Sequence, residues 1–65
     1  MITLYSNHCP KCDILKGKLD TKNVTYTLVD DTTWLSANGF DQMPILEVDG
    51  KRMPFMEANT YVNTL

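Results

Sequence analysis

The sequence predicts an α/β fold with the element order β-α-β-α-β-β-α and a four-stranded mixed sheet flanked by helices, and three observations carry that prediction. An apolar run, Met1 to Tyr5, breaks at Ser6-Asn7-His8 and gives way to helical spacing from Pro10. Val24 to Val29 alternates apolar residues with threonines at period two. Finally, Asp49-Gly50 divides two short strand-like runs.

In chain order, Met1-Ile2-Thr3-Leu4-Tyr5 is rich in β-formers and reads as the first strand. From Pro10 onward, Cys12, Ile14, Leu15 and Leu19 recur at helical spacing, while Lys11, Asp13, Lys16, Lys18 and Asp20 fall mostly outside. Gly17 weakens that helix by roughly 1 kcal/mol relative to alanine without abolishing it. Val24-Thr25-Tyr26-Thr27-Leu28-Val29 is the clearest strand in the chain. Asp30 and Asp31 then offer an N-cap and negative charge to a short helix through Trp34, Leu35 and Ala37, which Asn38-Gly39 ends.

Ile45 to Val48 and Lys51 to Met53 flank Asp49-Gly50, a favoured two-residue hairpin turn because both central residues need positive φ. Pro54 is tolerated in a first helical turn, and Phe55, Ala58, Val62 and Leu65 then share one face of a last helix. A strand, helix and strand in succession imply a right-handed crossover and a parallel pair, to which the hairpin adds two antiparallel strands. Trp34 is expected to pack helix against sheet, with Tyr5, Phe40 and Tyr61 as core or rim.

At 65 residues the chain reads as one domain, 1–65, near the lower size at which a hydrophobic core alone holds a fold together. An apolar share of 43% with 22% charged residues is that of a globular protein. The net charge of -2 arises from mixed, scattered charges and gives no reason to expect nucleic acid or a membrane surface as partner. The first residues lack a basic n-region and an apolar run long enough for a secretory signal, so a cytoplasmic location is the expectation.

Chemistry is concentrated in Cys9-Pro10-Lys11-Cys12, at the junction of the first strand and first helix. A disulfide closing so small a loop is a weak staple, so reactivity is the better reason for the pair. Pro10 suits the first helical position, which sets Cys9 at or beside the N-cap and Cys12 one turn further in. The free N–H groups and positive helix end there favour a thiolate, so Cys9 is expected to have a depressed pKa and to be the nucleophile. Cys12, deeper and less acidic, is the expected resolving thiol. Lys11 either adds positive potential or is a solvated surface lysine, and His8 is a candidate modulator of the nucleophile.

Leu4-Tyr5-Ser6, Cys9-Pro10-Lys11-Cys12, Met43-Pro44-Ile45-Leu46 and Val48-Asp49-Gly50 together resemble a glutaredoxin-like member of the thioredoxin superfamily, over nearly the whole chain. The resemblance implies the thioredoxin fold and a thiol-disulfide oxidoreductase. It also implies a cis peptide bond at Pro44, packed against the cysteine pair, and a substrate strand paired with the backbone of Met43. Pro10, Lys11, Met43 and Pro44 are thus the candidate substrate-binding residues. No bound cofactor is expected, only an external thiol reductant. The partners it implies are disulfide-containing proteins, with ribonucleotide reductase as a candidate, and a monomer is expected.

Three departures bear on the reductant. Lys11 stands where glutathione-dependent glutaredoxins have an aromatic residue, Asn7-His8 lacks their basic residue, and Pro54-Phe55 replaces their Gly-Gly. Each removes an expected glutathione contact or the backbone freedom for close approach. Thioredoxin reductase and glutathione therefore both stay open as electron source. Two other function classes are a metal or iron-sulfur protein, for which a chain with only two cysteines offers few ligands, and a non-catalytic binding module of the same fold. Met43, Met53 and Met56 are read as adaptable apolar surface bordering the site, and Asp30, Asp31 and Glu57 as capping or solvated charges.

Overall fold

The computed structural model describes all residues, 1–65. Its elements are β1 (Ile2–Tyr5), α1 (Pro10–Thr21), β2 (Thr27–Val29), α2 (Thr32–Ala37), β3 (Ile45–Val48), β4 (Lys51–Met53) and α3 (Phe55–Asn63), in the expected order. The four strands lie side by side as β2-β1-β3-β4. β1 runs parallel to β2, with Thr3 opposite Thr27 and Tyr5 opposite Val29. It runs antiparallel to β3, and β3 is antiparallel to β4. The hairpin turn has positive φ at both Asp49 (50°) and Gly50 (88°), the geometry expected of Asp-Gly between strands.

Alternation along the strands assigns the two faces of the sheet. One face sends Leu4, Leu46 and Met53 into a core completed by Leu15 and Leu19 of α1 and Ala58 and Val62 of α3. Burying each large aliphatic side chain there contributes roughly 1.5–3 kcal/mol. The opposite face carries Tyr5, which stacks on Trp34 of α2 at 6.2 Å and tilts against Phe40 at 4.5 Å between ring centroids. No helix is long and apolar enough to cross a membrane.

Several elements differ from the sequence expectation. The strand expected from Val24 pairs only over Thr27–Val29, opposite Thr3–Tyr5, and the Val24 N–H instead donates to the Leu19 carbonyl of α1. Its period was nevertheless correct, since Val24, Tyr26 and Leu28 all pack against the core. In α1, Cys12, Leu15 and Leu19 are buried, whereas Ile14 is exposed. Ile14 lies two positions after Cys12, and that spacing turns it away from the buried stripe.

At the other end of the chain, Pro54 is the N-cap of α3 and contributes no side-chain cap, and Leu65 lies beyond the helix and is half exposed. Trp34 lies against Tyr5 and Phe40 but stays substantially exposed, and Leu35 is the residue of α2 that is fully buried. A six-residue helix covers too little of this sheet face to enclose an indole as well.

Candidate active site

The break between β1 and α1 builds the site. The Ser6 N–H still follows the sheet, donating to the Val29 carbonyl at 2.9 Å. His8 then takes a left-handed conformation, φ 62°, with its N–H donating to the Ser6 hydroxyl oxygen at 3.0 Å. That reversal brings Cys9 to the N-cap of α1 in an extended conformation, with Pro10 at the first helical position, as its lost donor allows. The Cys9 sulfur acts as the cap, accepting from the Cys12 N–H at 3.1 Å.

The two thiols are free and differ in access: Cys9 is partly exposed and Cys12 only 1% exposed. The Cys12 S–H donates to the Asn7 side-chain oxygen at 3.5 Å. The electrostatics of the pair depart from expectation. Burial raises the Cys9 pKa above its ordinary value, as does its hydrogen bond with the Cys12 side chain, and together they outweigh the helix-end N–H groups of Cys12 and Lys11. Burial also pushes Cys12 up. There, however, hydrogen bonds from the Cys9 side chain, the Asn7 backbone and the Ser6 hydroxyl prevail, and its pKa falls below the ordinary value.

The sulfurs therefore titrate as one coupled unit, in which the second proton is harder to remove than the first. Helix position alone does not reveal this, because the neighbouring sulfur is itself a hydrogen-bonding and charged group.

The Met43-Pro44 peptide bond is cis, as the resemblance implies, and Pro44 is buried. Lys11, Met43 and Pro44 border an open groove of about 510 Å³ together with Pro54, Phe55 and Met56. The Lys11 ammonium lies 5.5 Å from the centre of the Phe55 ring, a cation-π distance. Pro10 does not border this groove. A second depression of about 220 Å³, on the α2 side, is bordered by Asn7, Leu35, Phe40 and Met43. Met43 thus forms part of the wall of both.

His8 turns its ring to Asp30 at the end of β2, with Nε2 3.0 Å from Oδ2. Asp31 caps α2 as expected, accepting from the Trp34 N–H at 3.1 Å. Glu57 pairs with Lys51 at 3.3 Å on the surface. Met53 is buried in the core, so it does not border the site, while Met56 is exposed at the groove.

Sequence reasoning treated Ser6 and Asn7 only as a loop, yet both contact the pair. The available signal was the tendency of short polar side chains beside a turn to bond neighbouring groups. No local signal joins Asp30 to His8 across the chain.

No group of three or more His, Cys, Asp and Glu side chains gathers to hold a metal ion, so the cysteines lack a third donor of these types.

The structure is similar to that of the glutaredoxin-like protein NrdH-redoxin from Escherichia coli, which has a thioredoxin-like activity profile. The TM-score is 0.69 at 21% identity, over 98% of this chain and 92% of the other. It is also similar to a Nu-class GST from Haemonchus contortus, with a TM-score of 0.72 at 25% identity. That match covers 98% of this chain and only 36% of the transferase. No family model and no curated protein matches the sequence. The chain has the thioredoxin fold, in the form seen in a glutaredoxin-like redoxin.

Proposed function

We propose that the chain is a thiol-disulfide oxidoreductase that reduces disulfides through Cys9 and Cys12. One observation carries this reading: at the start of α1 in a thioredoxin fold, an accessible sulfur, Cys9, accepts a hydrogen bond from the backbone of Cys12, whose own sulfur is buried, and cis Pro44 borders the same groove as Lys11 between them. Similarity to a redoxin with thioredoxin-like activity supports it.

Cys9 thiolate attacks one sulfur of a substrate disulfide, a new S–S bond forms to Cys9, and the first substrate thiolate leaves and takes a proton from water. Cys12 then loses its proton and attacks the Cys9 sulfur, closing the internal disulfide and expelling the second substrate thiolate, which is protonated in turn. Two electrons pass from the cysteine pair to the substrate. Access rather than acidity assigns the roles, because a buried Cys12 cannot meet a protein disulfide but can reach Cys9.

The groove bordered by Lys11, Met43, Pro44, Phe55 and Met56 would receive the substrate chain, with Met43 offering main-chain pairing and the exposed Met56 and Phe55 an adaptable apolar wall. Pro10 serves by setting the helix start. No bound cofactor is required. The oxidised protein would be regenerated by an external thiol system, thioredoxin reductase or glutathione, in the cytoplasm. Pro54-Phe55 beside the groove disfavours close glutathione contact and favours the reductase. Disulfide-containing proteins are the substrates, ribonucleotide reductase among the candidates, and the working form is a monomer.

The test is a titration in glutathione buffers of graded potential, with thiols alkylated and weighed by mass spectrometry. Clean interconversion between dithiol and internal disulfide near cytosolic potential is the expected result, and in Cys12→Ser a mixed disulfide should accumulate on Cys9. Thiols that stay unreactive across the range would sink the proposal, as would full reductase activity in Cys9→Ser. A glutathione adduct accumulating on wild-type Cys9 would move the choice of reductant to glutathione.

A further inference from the structure

Cys12 sits in a polar setting that the redox reading does not by itself require. Its sulfur is almost wholly enclosed, and two kinds of partner reach it. The Asn7 side-chain oxygen, 3.5 Å away, accepts a hydrogen bond, which only the protonated thiol supplies. The Asn7 backbone and the buried Ser6 hydroxyl act the other way, lowering the Cys12 pKa, which suits the thiolate. Ser6 is oriented for this because its oxygen already accepts from the His8 N–H, which leaves its own hydrogen to point elsewhere. Asn7 also borders the smaller depression beside Leu35 and Met43, so its amide lies between solvent and the buried sulfur.

We propose that the Asn7 side chain is a catalytic residue: it favours the arrangement in which Cys12 keeps the shared proton and Cys9 carries the charge for the first attack, against the other contacts of Cys12, which favour the opposite arrangement. This rests on the oxidoreductase reading. In a pair that has lost one proton, the lowered Cys12 pKa favours the charge on Cys12, and the Asn7 side-chain oxygen supports the opposite arrangement. An S–H on Cys12 bonded to Asn7 Oδ1 leaves Cys9 as the thiolate, capped by the Cys12 N–H. Once Cys9 is tied up in the mixed disulfide, Cys12 gives its proton to water and its thiolate is favoured by Ser6 and the Asn7 backbone. It then attacks Cys9, the internal S–S bond forms, and the second substrate thiolate leaves and takes a proton from water. No further reductant or oxidant enters these steps.

Two substitutions at Asn7 should act in opposite ways. Asn7→Leu removes the acceptor, so the proton moves to Cys9 and first attack slows by roughly threefold to tenfold, the range for one modest hydrogen bond, while resolution is not slowed. Asn7→Asp keeps an acceptor but sets a negative charge beside Cys12. First attack is then preserved, and resolution slows by about tenfold, as for a pKa raised by roughly one unit.

Both rates can be read with dithiobis-nitrobenzoate, since the first attack and the resolution each release one coloured thiolate in separate phases. Far-UV circular dichroism and Trp34 fluorescence check that the variants are folded. The expected result is one phase slowed in each variant, a different one in the two. If the wild type shows both phases while the variants leave both unchanged, or slow both together, the inference is overturned and the oxidoreductase reading stands. If the wild type releases only one coloured thiolate per molecule, Cys12 does not resolve the mixed disulfide, and the reading fails and takes the inference with it.

Discussion

The Cys12 N–H donates to the Cys9 sulfur at 3.1 Å, while the Cys12 side chain raises the Cys9 pKa. One residue thus acts on the nucleophile in two opposed ways, through its backbone and through its sulfur.

That opposition gives a prediction for the single-cysteine variants. In Cys12→Ala, the backbone donor remains and the raising influence of the second sulfur is gone, so the Cys9 thiol should titrate lower than it does in the pair. In Cys9→Ala, Cys12 loses the Cys9 side-chain hydrogen bond that lowers it, and should titrate higher. Thiolate absorbance against pH measures both. Shifts in the same direction would contradict the coupling described.

Core substitutions should be severe for so small a chain. Leu46 is fully buried at the centre of the core beside Leu4 and Met53. Leu46→Ala should cost about 2–5 kcal/mol, against a total stability of roughly 3–10 kcal/mol for a domain of this size. Urea denaturation should show a much lower midpoint or a chain already partly unfolded. A midpoint unchanged from wild type would argue against this core.

Asp31 holds the start of α2 through its bond from the Trp34 N–H. Removing the cap in Asp31→Ala should cost about 0.5–2 kcal/mol. Hydrogen exchange should report the loss chiefly at the α2 amides, with a change in emission from Trp34, the chain's one tryptophan. Equal exchange in the two proteins would mean that the helix is held by Leu35 alone.

Tyr26 links stability to alkaline pH. Burial, followed by its hydrogen bond to Asp20 at 2.8 Å, raises its pKa above the ordinary value of 10.0. A raised folded pKa means that the stabilisation is fully present below the unfolded value and is lost as pH rises through the folded one. The opposite edge concerns Asp20, lowered first by the Tyr26 hydroxyl and then by Lys16, whose stabilisation fades as pH falls through its lowered pKa. Tyr26→Phe should therefore flatten the fall in stability above pH 10 and weaken the one in acid. Denaturant midpoints of both proteins across pH decide it, and parallel curves would refute the linkage.

What the sequence by itself determined is what short-range chemistry dictates. Period two and period 3.6 apolar spacing identified the strand and helix faces, Asp49-Gly50 identified the hairpin, and Pro10 after Cys9 identified the start of α1. These features depend on neighbours a few residues away, so they survive reading one residue at a time.

Tertiary structure alone decided how much of the Val24 to Val29 run would pair, because the start of that run is held by α1, through the Val24 N–H on the Leu19 carbonyl, and only Thr27–Val29 lies beside β1. It also set His8 against Asp30 across 22 residues of chain, and it placed Ser6 and Asn7 around a sulfur that the next helix carries. The acidity of Cys12 relative to Cys9 belongs to this second class. Desolvation and hydrogen bonding act through distance in space, and no spacing along the chain records which side chains the fold brings to within about 3.5 Å of a buried thiol.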